Sequence, residues 1–221
     1  MKVELWTVDL TQIPDQDFQI LAPLEQKRAD QFKYEKHRTR FIKRRVLLRK
    51  ILAHYLNQSP RSVGIGYTKL GKPFLAMSTE KLYFNISHSK DQVLYGISKE
   101  GHLGVDIEFL DPEIESELIS SHFFAPEEIS LIKESEGLSK SEAFFRLWTI
   151  KEAFIKLIGK GLTYPLENVL VKNAMTEPHL NIPDGKDYSS VFKRTISDYA
   201  IGVVVSGNSL ELEWRVIGEV V

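Results

Sequence analysis

The chain contains no cysteine, which excludes disulfides, thiolate nucleophiles and cysteine-based metal sites. Long apolar runs are missing too. Stretches such as Ala200–Val205 fall far short of the roughly 20 residues that a membrane-spanning helix needs. The opening Met1-Lys2-Val3-Glu4-Leu5-Trp6 has an acid and a tryptophan where a signal peptide requires a plain apolar run. A cytoplasmic protein with no membrane partner is the expectation. There is no GxxxxGK[ST] phosphate loop and no GxGxxG fingerprint. Neither a Gly-x-Ser-x-Gly elbow nor a Ser-His-Asp order supports a hydrolase triad. No repeat and no low-complexity tract is visible.

What is present is ordinary for a globular protein. The 221 residues are 43% hydrophobic and 27% charged, enough for one large domain or two small ones sharing a core. The net charge of −1 conceals an asymmetry. Eleven basic residues lie between Lys27 and Lys50, against Asp30 and Glu35 alone. Such a run suits an anionic ligand, or equally a solvated helix face. A nucleic-acid module is disfavoured by the sequence pI of about 6.6 and the acidic remainder.

Periodicity predicts a strand over Lys2–Asp9 and helices over Pro23–Phe32 and His37–Asn57. Gly64–Tyr67, Leu82–Ser87 and Gln92–Ser98 read as short strands. Lys99-Glu100-Gly101-His102 is a polar break, either a tight turn within one sheet or a joint between two halves. Beyond it come a strand over Gly104–Phe109 and helices over Ile114–Phe123, Pro126–Lys133 and Lys140–Ile158. Ser139 and Glu142 have capping-box spacing at the start of the last. After Pro165 the pattern is strands at Val169–Val171, Val191–Thr195, Tyr199–Val205 and Leu210–Val216. The class is α+β.

Gly104-Val105-Asp106-Ile107-Glu108 puts two carboxylates on one side of a strand, Cα atoms roughly 6–7 Å apart. Paired acids repel unless water or a cation intervenes, and Mg²⁺ prefers such hard oxygen ligands completed by phosphate and water. An exposed edge strand would show the same pattern. Glu152 and Lys156, four apart on the Lys140–Ile158 helix, share a face as a simple ion pair would. That helix is apolar on most sides, so it is buried and its charges belong at an interior cleft. Phe84-Asn85-Ile86-Ser87-His88-Ser89 ends a strand in groups fit to bind phosphate or to cap a turn.

Taken together, GVDIE at 104–108 and WTIKEAFIKLIGKGL at 148–162, supported by FNISHS at 84–89, GKP at 71–73 and the looser RADQF…RTRF pattern between Arg28 and Phe41, resemble the surfactin-type 4′-phosphopantetheinyl transferases. The resemblance implies two similar α+β halves, each a small mostly antiparallel sheet with helices, with the active site in the cleft between them. Residues 1–100 would supply the coenzyme A nucleotide contacts; residues 101–221 would supply the metal ligands and catalytic helix. Asp106, Glu108 and Glu152 would bind Mg²⁺, and Glu152 and Lys156 would be catalytic. Arg28 (at the 3′-phosphate), Lys72, Ser87, His88, Lys151 and Lys156 would contact coenzyme A. Arg40, Arg44 and Arg45 are left unassigned. The partner implied is an apo acyl or peptidyl carrier protein, with Phe123-Phe124 a possible apolar contact, and the enzyme a monomer. An alternative is another Mg²⁺-dependent phosphoryl-group enzyme, of phosphodiesterase type.

Overall fold

A computed structural model describes residues 1–76, 80–135, 138–196 and 198–219. In chain order its elements are β1 (Lys2–Asp9), α1 (Pro23–Asp30), α2 (Glu35–Leu56), β2 (Ile65–Tyr67), β3 (Pro73–Leu75), β4 (Tyr83–Ser89), β5 (Gln92–Ser98) and β6 (Leu103–Phe109). There follow α3 (Ser116–Phe123), α4 (Pro126–Glu134), α5 (Leu138–Ile158), β7 (Leu170–Lys172), β8 (His179–Asn181), β9 (Tyr188–Ile196), β10 (Tyr199–Ser206) and β11 (Glu211–Arg215). The class is α+β, as expected. One sheet has the order β11-β1-β5-β4, a second β6-β10-β9-β8-β7, and β2-β3 form a small ribbon. Pairing is antiparallel except for β11, which returns from the far end of the sequence to run parallel to β1. The polar break at 99–102 is therefore a joint that carries the chain from one sheet to the other.

Alternation within the strands sets the layers. Val3 and Leu5 of β1, Leu94 of β5, Val105 and Ile107 of β6 and Ile201 and Val203 of β10 form a core joining the two sheets. The opposite face of the first sheet, through Trp6, Val8, Tyr95 and Ile97, packs on Leu47, Leu48, Ile51 and Leu52 of α2. The second sheet packs on α5 through Phe192, Ala200 and Val204. The α2 helix ends at Asn57, whose positive φ of 48° gives the left-handed cap that stops it.

Two glycines bring α5 unusually close. A Cβ on Gly104 would lie 1.8 Å from the Ala153 carbonyl oxygen, and one on Gly202 would lie 2.4 Å from that of Thr149. The helix backbone thus rests on β6 and β10 with no side chain between.

A local device occurs twice, although the sequence shows no repeat at first reading. Ala22-Pro23-Leu24-Glu25 opens α1, and Glu25 accepts from the Ala22 N–H at 3.0 Å while pairing with buried Arg49 of α2. Arg49 also donates to the carbonyls of Pro60 and Val63. Ala125-Pro126-Glu127-Glu128 opens α4 in the same way, with Glu128 capping Ala125 and pairing with Lys151 of α5. In each case the acid satisfies a free helix N–H and a base from the long helix at once. The α5 helix itself begins at Leu138, so Ser139 stands within the first turn and not before it; its side chain lies outside the described residues. Glu142 accepts from Arg146 instead of serving a cap.

Gly104→Ala and Gly202→Ala are each expected to lower the melting temperature by several degrees, through overpacking of about 1–3 kcal/mol or more. Gly218→Ala, with open space around it, is the control. Calorimetry showing the three variants alike would contradict the close helix–sheet approach.

Candidate active site

The site lies where an edge of each sheet meets the other. β4 and β6 are both terminal strands in their sheets, and side chains join them where a backbone ladder would otherwise run. Asn85 Oδ1 accepts from the Val105 N–H at 2.9 Å, Ser87 Oγ donates to Asp106 Oδ1 at 2.8 Å, and Ser89 Oγ donates to Glu108 Oε2 at 2.9 Å. The Phe109 N–H also donates to Ser89 Oγ. Asn85, Ser87 and Ser89 alternate along β4, so one polar face of that strand serves the whole seam.

Asp106 is only 1% exposed. Its Oδ1 accepts from Ser87 and from Lys156 Nζ, which reaches in from α5 and also donates to Ser87 Oγ at 2.8 Å. Its Oδ2 is buried with no hydrogen-bond partner. Glu108 and Glu152 flank this group, half-buried. Burial, and then the Asp106 charge, push each of their carboxyls up to about 7. Ser89 and Lys156 oppose the rise at Glu108, and Lys156 opposes it at Glu152. Glu152 makes no hydrogen bond among the described residues.

Three acids therefore face one lysine, an excess of negative charge in a poorly solvated seam. The donors are hard oxygens and one buried oxygen is unpartnered, which fits a small divalent cation. Among the described residues, no three Asp, Glu or His side chains are gathered tightly enough to hold an ion unaided. Magnesium suits such an open arrangement, since it takes one or two carboxylates and fills its remaining positions with water and phosphate oxygens.

Basic side chains also border the acids. His88 follows Ser87 on β4, its ring open to solvent on one side. Loss of hydration from the atoms packed around it, and then Arg44 and Lys156, bring it down to about 4, so it is neutral near pH 7. The Arg44 guanidinium of α2 has no hydrogen bond or ion pair among the described residues, although its main-chain carbonyl accepts from the Tyr95 hydroxyl at 2.9 Å. Its neighbours on α2 are occupied: Arg40 bonds Asp91, Lys43 bonds the Leu10 and Ile13 carbonyls, Arg45 bonds Tyr67, and Arg49 is buried with Glu25. Arg40, Lys43, Arg45 and Arg49 are thus held in structural contacts, whereas the Arg44 charge acts on His88 at the seam, a distinction that depends on partners far away in sequence. Lys72 Nζ donates to the Leu157 carbonyl at the end of α5, and burial lowers it to about 8. It borders a groove of about 620 Å³ whose walls include Phe74, Tyr83, Phe84, His102 and Gly159.

Asp106, Glu108, Glu152, Lys156, Ser87 and His88 thus come together, with Lys72 at the end of the same helix. Arg28 stands apart: it is exposed on α1, bonded to Gln31 and lying over Phe32, and no bond among the described residues joins it to the acids. Lys151 is a correction. It is 0% exposed, and its ammonium donates to Glu128 at 2.7 Å and to the carbonyls of Leu166 and Val169. Three acceptors take all three N–H groups, so none remains for a ligand. Phe124 is another correction, because it is buried and stacked on Phe144 with ring centroids 5.6 Å apart, not offered at the surface.

Comparison with known proteins agrees with the motifs. The family description "4′-phosphopantetheinyl transferase superfamily" matches residues 102–204, and "4′-phosphopantetheinyl transferase, N-terminal" matches residues 6–99. The chain is 36% identical over 183 residues to the 4′-phosphopantetheinyl transferase HetI of Nostoc sp., covering 80% of this chain and 76% of the relative. It is 31% identical to a 4′-phosphopantetheinyl transferase of Bacillus subtilis, over 64% of this chain and 62% of the relative. A solved holo-(acyl-carrier-protein) synthase from Bacillus anthracis aligns with 49% of this chain and 96% of its own at 20% identity and a TM-score of 0.44, a likeness too slight to build on. No helix among the described residues is long and apolar enough to cross a membrane.

The two raised carboxyls make a pH prediction. In the metal-free protein they hold protons that the unfolded chain has already released. Their stabilising contribution is full below the ordinary carboxylate range and is lost as pH rises through about 7. The melting temperature is expected to fall between about pH 5 and about pH 8, less so in Glu152→Gln, and added Mg²⁺ is expected to restore it at the upper end. Equal slopes for wild type and variant would show that Glu152 is not strained by its neighbours.

Proposed function

This chain belongs to the 4′-phosphopantetheinyl transferase superfamily, and we propose that the seam between β4, β6 and α5 is where it acts. The enzyme moves the 4′-phosphopantetheine group of coenzyme A onto a serine of an apo acyl or peptidyl carrier protein, releasing 3′,5′-ADP. The observation that carries the assignment of the site is the buried Asp106 carboxylate, one oxygen held by Ser87 and Lys156 and the other without a partner.

Asp106, Glu108 and Glu152 would hold Mg²⁺. Bound there with the coenzyme A pyrophosphate, it would act as a Lewis acid and neutralise charge on the phosphate oxygens. Lys156 sits on the same side of α5 and would bind the pyrophosphate, countering charge as the bond between the β-phosphorus and its bridging oxygen breaks. The serine Oγ forms the new bond to that phosphorus, and its proton passes to Glu152. A carboxylate beside the nucleophile can take that proton. His88, neutral, would donate a hydrogen bond to phosphate, and Arg44 would supply the fixed positive charge beside it. Lys72 and the groove it borders would receive the nucleotide end, with Arg28 reaching the 3′-phosphate. Residues 1–100 would thus bind the nucleotide, and residues 101–221 would carry the acids and the catalytic helix. Reactions of this kind depend on positioning and charge neutralisation more than on covalent catalysis.

The test is to incubate the protein with coenzyme A, Mg²⁺ and an apo carrier, then weigh the carrier. A phosphopantetheine mass gain is expected. Hydrolysis of coenzyme A without any carrier would favour a phosphodiesterase instead. Asp106→Asn and Glu152→Gln are each expected to lower kcat at least about a hundredfold. Arg44→Ala is expected to raise KM for coenzyme A about tenfold with a smaller effect on kcat, the loss of one charge-assisted phosphate contact. An unchanged KM would remove Arg44 from the ligand.

A further inference from the structure

The ammonium of Lys151 and the carboxylate of Glu128 are both buried, at 0% and 2% exposure, and Lys151 adjoins Glu152 on α5. Around an α-helix each residue advances about 100°, so Lys151 lies roughly 140° from Lys156 and 100° from Glu152. The helix is therefore gripped on two sides, by Lys156 on Asp106 at the seam and by Lys151 on Glu128 at the back. Glu128 is itself fully engaged. Its Oε2 accepts from the Ala125 N–H at 2.9 Å as well as from Lys151, and its Oε1 accepts from the Val171 N–H at 2.9 Å. Lys151 adds the carbonyls of Leu166 and Val169 and lies over the Phe124 ring. One ion pair thereby fixes the start of α4, the middle of α5, the segment after α5 and the start of β7.

We infer that Lys151 and Glu128 are positioning residues for the transfer reaction: their buried pair sets the axial rotation of α5 and so the place of Glu152 and Lys156 against Asp106. The inference rests on the transferase reading of the site. Gly104 and Gly202 select the face of α5 that meets the sheet, but apolar side chains round most of its circumference, including Phe144, Leu147, Ile150, Phe154 and Ile155, leave the finer rotation to directed contacts. A charged group with three directed acceptors has one satisfactory orientation, and a buried charge displaced from it loses its partners. The Arg49–Glu25 pair is the same device on α2, with two carbonyls three residues apart as further acceptors in both cases. It holds α2, which carries none of the three acids, and serves as an internal control for kcat, with Arg45 as a further partner of Glu25.

The experiment compares the double variant Lys151→Met/Glu128→Leu with Arg49→Met/Glu25→Leu and with wild type. Apolar replacement of both partners removes the buried charges together, so folding is retained far better than in either single change. The Lys151/Glu128 double variant is expected to melt below wild type, because the Ala125 and Val171 N–H groups and the Leu166 and Val169 carbonyls lose their partners, and, assayed at a temperature where it is folded, to show kcat at least about tenfold lower. Its Mg²⁺ affinity, measured by calorimetry with coenzyme A present, is expected to be weaker by a similar factor, and KM for coenzyme A within about threefold. The control pair is expected to keep kcat. Glu128→Gln, which removes the charge but keeps the length of the side chain, is the milder variant and is expected to lose kcat several-fold. Wild-type kcat and Mg²⁺ affinity in a folded double variant, or in Glu128→Gln, would overturn the positioning role and leave the pair as packing. Absence of carrier modification by wild type would sink the transferase reading, and the Mg²⁺ affinity of the double variant would still decide on the pair.

Discussion

A buried carboxylate with one oxygen left over is the constraint from which the rest of the site follows. Asp106 cannot retreat into solvent, and Ser87 with Lys156 engages only one of its oxygens. Burial, and then its charge, raise the carboxyls of Glu108 and Glu152, and the seam holds more acid than base. Positive charge has to come from outside the chain for all three to be ionised together. The arrangement costs stability without a ligand and becomes favourable when a cation bridges the acids to a polyphosphate. That conflict between stability and activity is common where charge has been gathered for catalysis.

The seam exists because two edge strands meet without pairing. Their free backbone groups need partners, and Asn85 and Ser89 supply them to Val105 and Phe109 from the polar face of β4. Unpaired edges invite aggregation unless covered; here the two edges cover each other through these side chains, while α5 lies on the face of the second sheet over Gly104 and Gly202. The long helices then deliver charge to the same line from opposite sides, Arg44 from α2 and Glu152 and Lys156 from α5. Preorganisation of this kind is more dependable on helices and strands than on loops.

Most of the helices and the longer strands were legible from periodicity, and so were the acids, because Asp106 and Glu108 alternate with core residues Val105 and Ile107. β3 and β8, three residues each and close to prolines, carry too little pattern to be seen. The parallel pairing of β11 with β1 is a contact across nearly the whole chain and leaves no local mark. Lys151 shows the limit of motif reading: it adjoins Glu152 in sequence, but one step around the helix turns it from the cleft to the core. The free base among the arginines of α2 was likewise hidden, since only tertiary partners such as Glu25 and Asp91 distinguish Arg44 from Arg40, Arg45 and Arg49.

The central claim is that Asp106, Glu108 and Glu152 converge on one divalent ion. The direct measurement is calorimetric titration of Mg²⁺ into the protein with coenzyme A, near pH 7, in two buffers of different ionisation enthalpy. One ion per chain with net release of protons is predicted, as carboxyls held near 7 give up their protons to the metal. No uptake, or uptake with no proton released, would contradict it.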